Sequence, residues 1–165
     1  MALNLELKIK VDSHKKYISV LKRIGAENKG ILKQKDIYYK VKKGLLKLRV
    51  ENETFTLIKY LRDEKGKRWS NYELMTLKAK NPEKYLNEIF DVDAVVVKER
   101  KYWLYKNTRV HLDTVKSLGK YLELETLFAG DRLDATKQFN EIVKILNLDL
   151  GKQIHKSYKN LLMKK

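Results

Sequence analysis

Nine residues near the start of the chain, Leu3-Asn-Leu-Glu-Leu-Lys-Ile-Lys-Val11, alternate strictly between aliphatic and polar side chains. Successive side chains of a strand point to opposite faces, so this segment has one apolar face and one that is mostly charged. A helix would scatter both sets around its axis. The pattern returns along the chain. Strand-like runs occur at 34–41, 45–50 and 54–61, separated by Lys43-Gly44 and Asn52-Glu53 turns, and again at 95–105, 108–115 and 120–127.

Helical stripes sit between and after these runs. Tyr17, Ile18, Leu21 and Ile24 follow an Asp12-Ser13 cap and stop at Gly25, which predicts a helix over 12–25. Asn81 as cap and Pro82 in the first turn open a second, over 82–91, carrying Tyr85, Leu86, Ile89 and Phe90. Residues 134–165 read as helical, with stripes at Phe139, Ile142, Val143 and Leu146 and at Ile154, Tyr158, Leu161 and Leu162. After the polar loop 63–68, Asn71-Tyr-Glu-Leu74 echoes Asn4-Leu-Glu-Leu7. The order strand, helix, three strands thus occurs over 3–61 and again over 70–127, which predicts an internal pseudo-repeat in one domain, 1–165. The expected fold is α+β, with eight antiparallel strands, a number that closes into a barrel.

The polar face carries an unusual set of side chains. It holds Glu6, Lys8 and Lys10, then Lys47 and Arg49, Lys98 and Arg100, Arg109, His111 and Asp113, and finally Glu123 and Glu125. In an ordinary barrel the apolar face points inward. Here the helical stripes need an apolar surface to cover, and a barrel with an apolar exterior supplies it. Both signs of charge also recur at alternate positions, where a merely solvated face would accept neutral polar residues equally well. We therefore expect the charges to line the lumen and the helices to pack outside. An open sheet with a solvated charged face uses the same alternation and stays as the competing architecture.

Composition narrows the chemistry. The chain of 165 residues has 37 Lys+Arg and 21 Asp+Glu, a net charge of 37 − 21 = +16, and no cysteine. Thiol catalysis, disulfides and cysteine-based metal sites are excluded. The three histidines, His14, His111 and His155, are too far apart for a His-x-x-x-His face. The sequence contains no Gly-rich phosphate loop and no Gly-x-Ser-x-Gly. The N-terminal segment alternates from the start and no apolar run reaches the ~20 residues of a membrane span. We expect a soluble, cytoplasmic protein without membrane contact.

A lumen of lysines and arginines suits a linear polyphosphate, held by charge-assisted hydrogen bonds. Carboxylates among them are compatible with phosphate once a hard cation intervenes, and Mg²⁺ or Mn²⁺ takes oxygen ligands from both. Glu123 and Glu125 lie on one strand face, and Asp113 on the preceding strand can join them.

Short segments in consistent order extend this to a resemblance. Leu5-Glu-Leu-Lys-Ile-Lys10, Gln34-Lys-Asp-Ile-Tyr-Tyr39, Leu46-Lys-Leu-Arg49, Thr56-Leu-Ile-Lys59, Val97-Lys-Glu-Arg-Lys-Tyr102, the run from Val110 to Gly119, Tyr121-Leu-Glu-Leu-Glu125 and the closing Ser157-Tyr158 together resemble the CYTH superfamily of triphosphate tunnel metalloenzymes, which includes class IV adenylyl cyclases and thiamine triphosphatases. The resemblance implies a closed tunnel. It implies phosphate binding by Lys8, Lys10, Lys47, Arg49, Lys59, Lys98 and Arg100, and metal binding by Glu6, Asp113, Glu123 and Glu125. Lys59 is also the candidate for activating the nucleophile, provided burial among cations depresses its pKa. Arg109 and His111 are further lumen candidates, and so is Glu73, which matches the first carboxylate of a Glu-x-Glu pair in the family's fifth strand. Two family carboxylates are replaced, by Asn4 and Met75.

The leading function is a metal-dependent enzyme acting on a nucleoside triphosphate, thiamine triphosphate or tripolyphosphate. Hydrolysis ranks above cyclisation of ATP to cAMP and pyrophosphate, because nothing selects adenine. A tunnel that binds triphosphate or polyphosphate without turnover is the second reading, motivated by Asn4 and Met75. Nucleic-acid binding, motivated by charge and by Trp69, Trp103 and Tyr105, ranks third, because carboxylates on the same face repel a long phosphate backbone. A homodimer is compatible with all three. The proposed lumen counts eight cations and five acids, 8 − 5 = +3, which leaves 16 − 3 = +13 elsewhere.

Overall fold

The alternating segments pair edge to edge into a cylinder. The computed structural model describes residues 2–62 and 69–164. The strands are β1 (Ala2–Val11), β2 (Glu27–Tyr39), β3 (Leu45–Glu51), β4 (Thr54–Arg62), β5 (Trp69–Leu77), β6 (Val92–Tyr105), β7 (Thr108–Val115) and β8 (Gly119–Leu127). They close into a barrel in the order β1-β5-β4-β3-β2-β6-β7-β8, every neighbouring pair antiparallel. Helices α1 (Lys15–Arg23), α2 (Pro82–Ile89), α3 (Arg132–Ile145) and α4 (Tyr158–Met163) lie outside the strand wall, completing the α+β barrel expected from the sequence. The polar loop expected at 63–68 lies outside the described residues.

The main apolar core is on the exterior of the barrel. Leu5, Leu7 and Ile9 of β1, Val110 and Leu112 of β7, and Leu122 and Leu124 of β8 are buried beneath Tyr17 and Leu21 of α1 and Phe139, Ile142 and Val143 of α3. A second patch, Ile37 and Tyr39 of β2 with Leu48 of β3, is covered by Leu86 of α2. These are the odd positions of β1 and the even positions of β7 and β8. Their alternate neighbours therefore face the lumen, as the inversion argument requires.

Local signals hold at several helix ends. Gly25, at φ +72°, ends α1, and the backbone N–H of Ala26 returns to the Leu21 carbonyl. The Asn81 side chain accepts from Lys84 N, with Pro82 at the start of α2. The cap of α1 differs from expectation. His14 is its N-cap without a side-chain bond to the helix, its Nε2 meeting the Tyr121 carbonyl at 3.0 Å, and Ser13 Oγ accepts from Lys15 N instead.

Two elements depart from the sequence reading. Strand β2 starts at Glu27, seven residues before 34, because the exposed segment 27–33 is held by pairing with β6 and carries an irregularity between Asn28 and Gly30 that breaks its alternation. The expected last helix is interrupted. A short 3₁₀ turn covers Leu150–Lys152, and α4 begins only at Tyr158, capped by Ser157. Between them the backbone N–H of Ile154 donates to the Lys8 carbonyl, which binds this segment to β1.

Replacing Phe139, 1% exposed, by alanine should cost about 3–5 kcal/mol in chemical denaturation through the cavity it leaves. Leu133→Ala in the same helix, 72% exposed, should change stability by less than about 0.5 kcal/mol.

Candidate functional site

Paired residues on neighbouring strands share a face, so the register decides which charges enter the lumen. Asp36 pairs with Arg49, Tyr38 with Lys47, and Gln34 with Lys98. Arg100 pairs with Asp113, His111 with Glu123, Arg109 with Glu125, Lys8 with Glu123 and Glu6 with Glu125. Lys8, Lys47, Arg49, Lys98, Arg100, Glu123 and Glu125 line one internal space, joined by Ser157 and Tyr158. Lys10 lies at the exposed rim, 5.9 Å from the Tyr121 ring.

Two fully buried acids organise the cations. Asp36 accepts from Lys47 Nζ at 2.8 Å, from Arg49 Nε and an η nitrogen at 2.8 Å each, and from Lys98 Nζ at 3.0 Å. Asp113 receives both arms of Arg100 at 2.7 Å and the Tyr158 hydroxyl at 2.8 Å. Arg100 also reaches Glu123 at 3.2 Å, and Arg109 reaches Glu125 at 3.0 Å. Asp36 was not among the residues expected in the site. It shares the even positions of β2 with Gln34 and Tyr38, opposite the apolar Ile37 and Tyr39, and that parity was the available signal.

Lys59 and Glu73 do not enter the lumen. The β3–β4 connection has two residues, Asn52 and Glu53, and pairs Lys47 with Ile58 and Leu46 with Lys59. Ile58 and Tyr60 are therefore on the lumen side of β4, and Lys59 is on the outer wall. There it meets Glu73 at 2.7 Å, the side chains being 49% and 58% exposed. Met75 shares that outer face and is 62% exposed. The lumen side of β5 carries Ser70, Tyr72 and Leu74 instead, with Ser70 donating to Glu6 and the Tyr72 hydroxyl accepting from Arg109 at 3.3 Å. A one-residue shift in facing thus removes the expected nucleophile-activating lysine and the expected acid.

One end of the lumen is closed. Tyr158 stands edge-on to Tyr121, with centroids 5.1 Å apart, in a buried cluster with Tyr38, Val96, Val115 and Leu118. Lys8 Nζ lies 4.3 Å from the centre of the Tyr158 ring and donates to the Lys156 carbonyl. The free internal volume is about 30 Å³, room for roughly one water.

Burial sets the protonation states. It raises the Asp36 carboxyl, but Arg49, Lys47 and Lys98 overcome this and hold it well below the usual carboxylate range. Burial pushes Lys47 down to about 7 and Lys98 to about 8, against the upward pull of Asp36. His111 falls to about 3, first through burial and then through Arg100, so it is neutral. Its 3.8 Å approach to Glu125 is accordingly not an ion pair. Among the described residues, Asn4 Oδ1, Gln34 Oε1, Arg109 Nε and His111 Nδ1 are buried without a hydrogen-bond partner.

The donor chemistry fits a hard divalent cation. Glu123 and Glu125 lie on one strand face and Glu6 sits across the ladder from Glu125, all offering carboxylate oxygens. The grouping is not assembled, because Arg100, Arg109 and Ser70 engage these acids and Asp113 is occupied by Arg100 and Tyr158. Among the described residues no three His, Asp or Glu side chains converge as metal ligands.

The CYTH domain model matches residues 2–158. The chain belongs to the CYTH family. This family includes triphosphatases and adenylyl cyclases and is metal-dependent. Among solved structures, the PH1012 protein of Pyrococcus horikoshii shares 21% identity at a TM-score of 0.81, covering 96% of this chain and 98% of its own. A candidate adenylate cyclase from Vibrio parahaemolyticus shares 18% at 0.78, covering 98% of each chain. HpAC1 from Hippeastrum, a candidate adenylyl cyclase described as having a dominant triphosphatase activity, shares 12% at 0.70, covering 99% of this chain and 96% of its own. At these identities the likeness concerns the fold. No curated protein matches. No helix among the described residues is long and apolar enough to cross a membrane.

The buried neutral His111 gives this CYTH protein an acid sensitivity. Its pKa is about 3 in the folded chain and near its ordinary 6.5 in the unfolded one. Between those values the unfolded chain binds the extra proton, so stability falls as pH falls, by up to about 1.4 kcal/mol per pH unit for one site. Urea denaturation in chelator from pH 7 to pH 4.5 should show this slope. His111→Gln should reduce it, and an unchanged slope would remove His111 as its source.

Proposed function

We propose that the tunnel binds the phosphate chain of a small triphosphate compound and hydrolyses it in the presence of Mg²⁺ or Mn²⁺. The observation that carries this reading is the convergence of Lys8, Lys47, Arg49, Lys98 and Arg100 on one buried space. Such an array is costly to bury, and its chemistry matches a compact polyanion. The substrate class comprises nucleoside triphosphates, thiamine triphosphate and tripolyphosphate. A cytoplasmic setting, where such compounds are made, agrees with this.

The roles follow from position. The lysines and arginines orient the phosphates and balance the charge that grows on the departing phosphate. With Arg100 and Arg109 engaged by the ligand, Glu123, Glu125 and Glu6 would hold the divalent ion. Bound there, it would supply charge neutralisation at the phosphate oxygens. Water is the nucleophile in hydrolysis. In cyclisation it is the ribose 3′-hydroxyl, with pyrophosphate leaving, and this ranks lower because the sequence carries no feature that selects adenine. Lys59, on the outer wall, has no part in either.

Binding without turnover is the second reading. It is favoured by Asn4 and by the lumen face of β5, where Ser70, Tyr72 and Leu74 provide no carboxylate. Tight tripolyphosphate binding that survives a chelator, with no product, would select it.

A phosphate-release screen over the three substrate types with Mg²⁺ and Mn²⁺ tests the main reading. Arg100→Ala and Glu123→Gln should each lower kcat/KM by about 100-fold, the scale of losing one aligned charge stabiliser. Lys59→Ala should leave it within about twofold, as expected for an exposed ion pair. Absence of product from the wild type with every substrate would sink the hydrolytic proposal.

A further inference from the structure

Asp36 pairs with three cations and belongs to neither the phosphate-binding nor the metal-binding set assigned above. It is 0% exposed and meets three cations from two strands, Lys47 and Arg49 of β3 and Lys98 of β6. One oxygen, Oδ2, accepts from Lys47, from Arg49 and from Lys98, while Oδ1 takes the second Arg49 bond. Both oxygens thus face cations of the chain, three donors on Oδ2 and one on Oδ1. With both lysines protonated, the cluster sums to three positive charges against one negative, a net of +2. That charge suits a phosphoryl dianion, and Arg49, Lys47 and Lys98 all open onto the lumen.

We propose that Asp36 is a positioning residue, which gathers Lys47, Arg49 and Lys98 into one preformed clamp for a phosphoryl group and keeps its two lysines charged in a buried place. The proposal rests on the triphosphate reading of the tunnel. Without Asp36 three cations would repel one another across the lumen, and their side chains would lose the shared anchor that sets their spacing. An arginine cannot relieve this by losing a proton, but a lysine can. Lys47 faces Asp36 and Tyr38 from β2, Arg49 from β3, Tyr60 from β4 and Lys98 from β6, and Lys8 of β1, Arg100 of β6, Glu123 and Glu125 of β8 and Tyr158 of α4 line the same space. Asp36 is the carboxylate bonded to Lys47, at 2.8 Å, so the charge state of Lys47 depends on it more than on the acids across the lumen. Burial already brings Lys47 to about 7 and Lys98 to about 8 with Asp36 present.

This separates a positioning role from simple charge competition. If Asp36 merely competes with the ligand, Asp36→Asn makes the lumen more positive and strengthens anion binding at every pH. If it positions and charges the lysines, the variant loses affinity as they shed protons, and does so at lower pH than the wild type.

The experiment measures the dissociation constant of tripolyphosphate by calorimetry from pH 5.5 to pH 9, with and without Mg²⁺, for the wild type, Asp36→Asn and Lys47→Arg. Protonation of the ligand is common to all three and cancels in the ratios. Wild-type affinity should fall as pH rises through 7 to 8. In Asp36→Asn the fall should begin at least one pH unit lower, leaving a deficit of about tenfold or more at pH 7.5, the size of a one-unit pKa shift. Lys47→Arg, which cannot titrate, should move the fall up towards pH 8, the range left to Lys98. Should Asp36→Asn not fold, the Lys47→Arg profile decides, and an unmoved profile overturns the proposal. Uniformly tighter or uniformly weaker binding by Asp36→Asn, with no displaced fall, also overturns it while the triphosphate reading stands. A wild type that binds no tripolyphosphate under either condition overturns both.

Discussion

A barrel with charges inside stands or falls on whether those charges satisfy one another. An unpaired ion out of water is far more costly than any single packing contact is favourable. Here the requirement is met by two acids with no solvent exposure, Asp36 on β2 and Asp113 on β7, each bonded to its cations at 3.0 Å or less. They stand on either side of β6, which supplies Lys98 to one and Arg100 to the other. Strand β6 therefore couples the two clusters, and the register β2–β6–β7 is fixed by electrostatics on the inner side of the wall.

The outer side supplies the cohesion. Leu7, Leu112, Leu122 and Leu124 are at most 1% exposed beneath α1 and α3, and this shell provides the apolar burial that drives folding. The lumen contributes specificity of arrangement at an energetic cost, since buried ion pairs are poor net stabilisers. Stability and binding chemistry thus reside on opposite faces of the same strands, so a lumen residue can change without repacking the main core. An anion bound as proposed would relieve part of the cost of the interior.

Alternation made the barrel, its inversion and most of the lumen legible, because a period of two assigns faces without knowledge of partners. Lys59 entered through the family resemblance, and a motif match does not set its facing. The two-residue connection Asn52-Glu53 pairs Lys47 with Ile58, which puts Ile58 on the lumen side of β4 and Lys59 on the outer side. Asp36 was missed because Gln34-Lys-Asp-Ile-Tyr-Tyr39 alternates poorly, with polar and aromatic residues at both parities. The C-terminal stripe was read as continuous because Ile154 and Tyr158 are four apart, yet Ile154 is bound to the Lys8 carbonyl and cannot join the helix. With Lys59 and Glu73 outside and Asp36 inside, the set first proposed for the lumen becomes seven cations and five acids, 7 − 5 = +2, so most of the +16 still lies outside that set.

The counter-ions of this lumen are part of the chain. An exposed basic surface binds a polyanion largely by setting free the small ions that had gathered on the polyanion, and its affinity collapses as salt is added. Inside the barrel, a ligand bound as proposed would displace Glu123 and Glu125 from Arg100 and Arg109, and these anions are tethered. Entry would be an exchange of partners within a fixed population, closer to the working of an ion-exchange bead than to adsorption on a charged film. Dissolved salt would have little to compete with there, while the exposed charge outside remains fully subject to it.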